Sequence, residues 1–139
     1  MTFVLHFKKV RSLNFCSAFT AMHVRRAIVS GLYRPGKPSS PRITSASDQS
    51  VNLEWTAPES DGGSHITCYV VIYGSPLAPR ALYSREIVKG SSTNCTLTDK
   101  LWPGRTYQLA VAAINKAGYG QYSDFSSSFI LLGKSGKSI

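Results

Sequence analysis

The three cysteines, Cys16, Cys68 and Cys95, are the side chains best equipped for covalent chemistry. A disulfide needs Cα atoms within about 7 Å and converging Cβ vectors. Cys95 alternates in phase with an inward Leu97, whereas Cys68 is out of phase with Tyr69 and Val71. Their side chains therefore point to opposite sides, and a bridge between them is not expected. Both read as small apolar residues in a reducing compartment. Asn94-Cys95-Thr96 is the one Asn-x-Ser/Thr sequon, and Asn94 faces solvent if Cys95 faces inward. It is a candidate glycan acceptor if the chain is secreted, and a chance tripeptide otherwise. Gly133-Lys134-Ser135-Gly136-Lys137-Ser138 imitates the end of a phosphate-binding loop. The required upstream glycine is replaced by Ser128 or Leu131, and no helix can follow in the three residues after Gly136, so it reads as a basic tail. His6, His23 and His65 lack metal-ligand spacing, with His65 reading as a solvated turn residue. No nucleophile elbow, carboxylate pair or Arg-Gly-Asp tripeptide is present. The expectation is no enzyme, no metal and no cofactor.

The elements that would position these residues are short and alternating. Arg34-Pro35-Gly36-Lys37-Pro38-Ser39-Ser40-Pro41 cannot continue a helix and reads as a linker. After it, Val51, Leu53 and Trp55 alternate with Asn52, Glu54 and Thr56, the period of a half-buried strand. Tyr69, Val71 and Tyr73 form the next odd-numbered stripe. Further strands are expected at Leu82–Val88, around Cys95 and Leu97, along Tyr107–Ala113, and from Tyr122 to Leu132. Turn residues separate them at Pro58–Ser64, Gly74–Pro79, Lys89–Ser91 and Asn115–Gly120. With a short strand at Arg42–Ser45, that makes seven strands and almost no helix after residue 40, which indicates an antiparallel β-sandwich.

Composition sets outer bounds. The chain has 139 residues, 42% hydrophobic and 17% charged, enough apolar content for a buried core. Its longest uncharged early stretch, Ser12–Val24, is too short and too polar to span a bilayer. The formal charge of +9 lies at the ends. Residues 1–37 carry seven basic and no acidic residues, and Lys134 and Lys137 add two, whereas residues 38–133 carry seven of each sign. A nucleic-acid-binding fold would carry its basic stripe on the fold itself, so no nucleic-acid partner is expected. Residues 1–34 match three descriptions: the edge of a longer chain or a misjoined exon, a transit-type targeting segment, or a weakly helical extension. The expected division is a leader and linker at 1–37 outside the fold, a domain at 38–133, and a flexible basic tail at 134–139.

Several of these pieces, taken together, resemble one family. They are Trp55-Thr56-Ala57-Pro58, Asp61-Gly62-Gly63, the Tyr69, Val71, Tyr73 stripe, Leu101-Trp102-Pro103-Gly104-Arg105-Thr106-Tyr107, and Asn115-Lys116-Ala117-Gly118-Tyr119-Gly120 with Ser123. In this order and spacing, residues 38–133 resemble the fibronectin type III domain, with likeness to modules of titin- and twitchin-like giant proteins and of adhesion receptors. The resemblance implies a seven-strand immunoglobulin-like sandwich. In it Trp55 lies between the sheets, and Tyr107 occupies a tyrosine corner whose hydroxyl bonds backbone near Leu101. Two departures are an additional residue in Thr98-Asp99-Lys100 and a cysteine at position 95, where the family often has an aromatic or aliphatic residue.

A contact face is also expected. If odd residues fill the core, then Cys68, Val70, Ile72, Ala110, Ala112 and Ile114 lie side by side on the outer surface. An exposed apolar patch on a neutral domain marks a partner-binding face, unless the neighbouring strand and long side chains such as Arg80 and Arg85 cover it. The resemblance implies a non-catalytic protein-interaction or spacer module, one of several in a larger protein. The alternatives are an extracellular adhesion-receptor or matrix fragment, and the accessory domain of an enzyme whose catalytic part is absent. Its partners would be proteins, with no membrane insertion of the domain. Unpaired cysteines favour the cytoplasm, with an extracellular location as the alternative.

Overall fold

The computed structural model describes residues 31–133; the leader up to residue 30, with Cys16, and the tail from residue 134 lie outside it. Eight strands follow in chain order: β1 (Arg42–Ala46), β2 (Ser50–Glu54), β3 (Cys68–Gly74), β4 (Ser84–Lys89), β5 (Asn94–Thr98), β6 (Thr106–Asn115), β7 (Gly118–Tyr119) and β8 (Phe129–Ile130). One sheet has the order β1-β2-β5, and the other runs β4-β3-β6-β7 with β8 also paired to β6. Every pairing is antiparallel. The expected all-β sandwich forms, with eight strands where seven were expected.

The period-two pattern explains the core. Val51, Leu53 and Trp55 from one sheet meet Tyr69, Val71, Tyr73, Leu109, Val111 and Ala113 from the other, joined by Leu97, Leu101, Tyr107 and Leu131. The Trp55 ring meets that of Tyr69 edge-on, at 5.3 Å and 66°. Burying aromatic rings of this size contributes a few kcal/mol each, about 25 cal/mol per Å² removed from water.

The eighth strand arises because the expected last strand is not one element. β7 closes a tight hairpin on β6, pairing Asn115 with Gly118 and Ile114 with Tyr119. Asn115 Oδ1 accepts the amides of Ala117 at 2.7 Å and Gly118 at 3.2 Å, an Asx-type turn that a short amide or carboxylate side chain favours. Residues 122–127 then pass beside β6 without strand pairing, and β8 resumes the ladder at Phe129. Burial in this stretch repeats every three residues: Ser123 and Ser126 are buried, Tyr122 and Phe125 half-buried, Asp124 and Ser127 exposed. That is the repeat of an extended polyproline-type segment, not of a pleated strand. The two serines replace the missing ladder. Ser123 Oγ accepts the Val111 amide and Ser126 Oγ the Leu109 amide, each at 3.0 Å. Their own amides return to the carbonyls of Val111 at 2.7 Å and Leu109 at 2.8 Å.

For Tyr33–Lys37, the described end of the expected leader and linker, the expectation of standing outside the fold is corrected. The Tyr33 amide donates to the Gly62 carbonyl at 2.9 Å, and the Gly36 amide to Ser60 at 3.0 Å. The buried Asn115 donates Nδ2 to the carbonyls of Tyr33 at 2.8 Å and Asp61 at 2.6 Å. Lys37 pairs with Asp124 at 3.1 Å. A Cβ at Gly62 would collide with the Tyr33 carbonyl, and one at Gly120 with that of Pro35, so both glycines are needed for this close approach. A proline-rich segment has few amides to satisfy, which lets it lie along a loop surface with only these bonds.

Candidate functional site

The outer face of the larger sheet is where the sequence places partner binding. Cys68, Val70, Ile72, Ala110, Ala112 and Ile114 do share one side of β3 and β6, opposite the core, with Val70 across from Ala112 and Ile72 from Ala110. The expected exposure is corrected: all six are 0–2% exposed. They form a second apolar cluster with Tyr83, and Ala78, Ile87, Tyr119, Tyr122 and Phe125 pack against it.

The cover has two local causes. Gly74 has no side chain, and Tyr83 lies against it; a Cβ there would sit 2.6 Å from the Tyr83 ring. The Tyr83 hydroxyl donates to the Ser75 carbonyl and accepts from Gln108 Nε2, both at 2.8 Å, which locks the ring across the sheet. Its neighbour is Phe125, at 5.7 Å between ring centres. The Arg80 guanidinium then caps Tyr122 at 5.4 Å and Phe125 at 5.1 Å. Stacked cations of this kind contribute about 0.5–1 kcal/mol at exposed sites. Arg80 was among the covering side chains considered from sequence. Tyr83, Tyr122 and Phe125 were missed; the three-residue spacing of Tyr122 and Phe125 was the one signal visible in the sequence, since Tyr83 lies nine residues from the glycine it covers.

The end of the sandwich around the β5–β6 connection is arranged differently. Asp99, in the stretch with the additional residue, adopts a left-handed conformation with φ of 57°. Its amide donates to the Gln49 carbonyl at 2.8 Å, so the extra residue is absorbed without moving Leu101 from the core. The Tyr107 hydroxyl accepts the Trp102 amide at 2.8 Å. The partner lies one residue beyond Leu101, and the hydroxyl acts as acceptor. Trp102 itself points outward and is 68% exposed, with the Arg105 guanidinium 5.7 Å from its ring centre.

The remaining candidates lie apart from one another. Asn94 is exposed on β5, opposite Glu54. Cys95 next to it is a free thiol packed against the core; burial, and then the Glu86 carboxylate, push its pKa up to about 11. Such a thiol is a poor nucleophile at neutral pH. Among the described residues, no three His, Cys, Asp or Glu side chains gather in a metal-binding group, and no helix is long and apolar enough to cross a membrane.

A sequence profile of the fibronectin type III domain matches residues 36–129. This chain belongs to the fibronectin type III family. The fibronectin type III domain is a general protein-interaction or structural module of multidomain proteins, and it is typically non-catalytic. The chain is similar to fibronectin type-III domain-containing protein 3a of Gallus gallus, 37% identical over 91 residues that cover 65% of this chain and 7% of that protein. It is 36% identical over 106 residues to the phosphatidylinositol phosphatase PTPRQ of Rattus norvegicus, covering 73% of this chain and 4% of that one. A crystal structure of titin domains superposes with a TM-score of 0.66 at 34% identity, covering 73% of this chain and 33% of the titin chain. The fibronectin type III chain thus spans less than a tenth of these two curated relatives.

Proposed function

We propose that this domain is a non-catalytic protein-interaction or spacer module belonging to a longer multidomain protein. One observation carries the reading: the chain matches relatives closely along most of its own length and along only 4–7% of theirs. A single sandwich recurring inside long chains serves by holding its neighbours and presenting surface, since the fold is stable on its own terms. Both sides of β3 and β6 are buried, so the loops, the sheet ends and the exposed outer face of β1-β2-β5 offer the contact surface. The outer-face residues Cys68, Val70 and Ile72 would then act as a second core supporting that display. Tyr33 to Lys37, held against the Ser60–Gly62 loop, set the direction from which a preceding segment would arrive.

A second reading is an accessory domain of an enzyme whose catalytic part lies elsewhere. The name of the rat relative, a phosphatase, supports it. The test is an antibody raised against the sandwich, used for immunoblotting and mass spectrometry of what it detects. A product several-fold larger than this chain, carrying further modules, is expected. A catalytic domain in that product selects the accessory reading. A product no longer than this chain, with an activity of its own, overturns the proposal.

A further inference from the structure

Three large apolar side chains stand in solvent at one end of the sandwich. Leu77 is 96% exposed, Leu82 74% and Trp102 68%. They line a single groove of about 470 Å³, together with Lys100, Arg105 and the edge of Tyr73. Single exposed apolar residues are ordinary, but three around one concavity are not. None of the three hangs on a loose loop. The Leu77 amide donates to Ser75 Oγ at 3.1 Å, and the Ala78 amide to the Ser75 carbonyl at 3.0 Å. Leu82 sits in the 3-10 turn Arg80–Leu82, closed by its own amide on Pro79 at 2.9 Å. The Trp102 amide is fixed by Tyr107. A groove already ordered loses little conformational entropy on binding.

The charges around it have one sign. Lys100 and Arg105 line the groove and no carboxylate does. Glu86 holds Lys100 at 3.5 Å from outside it. Arg105 stacks on Trp102 and makes no ion pair among the described residues, which leaves its planar donor edge for a carboxylate. Two cations beside an apolar floor are too few for a phosphate backbone, whose binding needs several neutralised charges. We propose that this groove binds a segment of a partner protein in which a large apolar side chain adjoins one or two carboxylates. The apolar side chain enters between Leu77, Leu82 and Trp102, and a carboxylate pairs with Arg105. The proposal rests on the interaction-module reading and gives that reading a surface and a partner chemistry.

The test uses the full chain, isotopically labelled, and a set of synthetic eight-residue peptides combining Leu or Phe with Asp or Glu. Control peptides replace the acids by Lys or the apolar residues by Ser, and a single-stranded oligonucleotide serves as a further control. The Trp102 indole resonance is expected to shift with the acidic apolar peptides. Arg105→Glu and Leu77→Ser should each weaken binding about tenfold or more, with unchanged melting temperature. Leu77→Ser guards against misfolding, since that side chain is almost wholly in solvent. Equal binding of the Lys peptides, preference for the oligonucleotide, binding insensitive to both variants, or no peptide response at Trp102 each overturns the groove proposal. The immunoblot decides the module reading separately.

Discussion

A Tyr107→Phe substitution keeps the ring in the core and leaves the Trp102 amide without its acceptor. The expected cost is about 1–3 kcal/mol, read as a lowered urea midpoint at unchanged slope. The inward position of this tyrosine was legible, because alternation along Tyr107, Leu109 and Val111 fixes the side. The direction of its hydrogen bond was not, because a hydroxyl donates or accepts according to which backbone atom approaches it. Cys95 supplies a pH test. Its pKa is raised from 9.0 to about 11 in the folded chain, so the folded state keeps the proton more tightly than the unfolded one. Its contribution to stability is complete below about pH 9 and is lost as pH climbs toward 11. Tyr69, Tyr73 and Tyr122, raised chiefly by burial, act in the same direction. Melting temperatures across this range should fall, and Cys95→Val should lessen the fall. Parallel curves for the two proteins would show that the thiol takes no part.

Between strands, the decisive element is the run from Tyr122 to Phe129. Period two identified β2, β3 and β6 from sequence, because each puts alternate residues into one apolar layer. Tyr122–Leu132 reads from sequence as one last strand without a clear register, but the run repeats every three residues through its middle. With that period, Ser123 and Ser126 stitch the segment to β6 while Tyr122 and Phe125 lie on the outer face. This is why the sealed face was not legible: its cover comes from a segment with a different repeat and from Tyr83 lying over a distant glycine. Ser123→Ala removes the acceptor of the buried Val111 amide and should cost about 1–3 kcal/mol. Hydrogen exchange at Val111 should accelerate more than at Leu109, which keeps Ser126; uniform acceleration along β6 would argue against the stitch.

At the scale of the whole molecule, two buried apolar layers lie on either side of β3 and β6, while the outer face of β1-β2-β5 and the loops stay exposed. The family was legible from ordered motifs, since turn glycines, the tryptophan and the tyrosine each answer a geometric need of the sandwich. The docking of Tyr33–Lys37 was not, because a proline-rich stretch reads as a linker whether or not loops elsewhere offer it a seat. The net charge of zero over residues 38–133 is consistent with a module whose recognition is local, through a surface such as the Trp102 groove, and not through a long-range field. The central claim is that β3 and β6 are buried on both sides, which removes their outer face as a contact surface. Thermal melts of Val70→Lys and Val71→Lys test it most directly. Both residues are 0% exposed, one in each apolar layer. An unpaired charge in either layer costs several kcal/mol, comparable to the whole stability of a small domain. Both variants should be unfolded or strongly destabilised; a Val70→Lys protein that melts like the unsubstituted chain while Val71→Lys unfolds would show that the outer face is open to water.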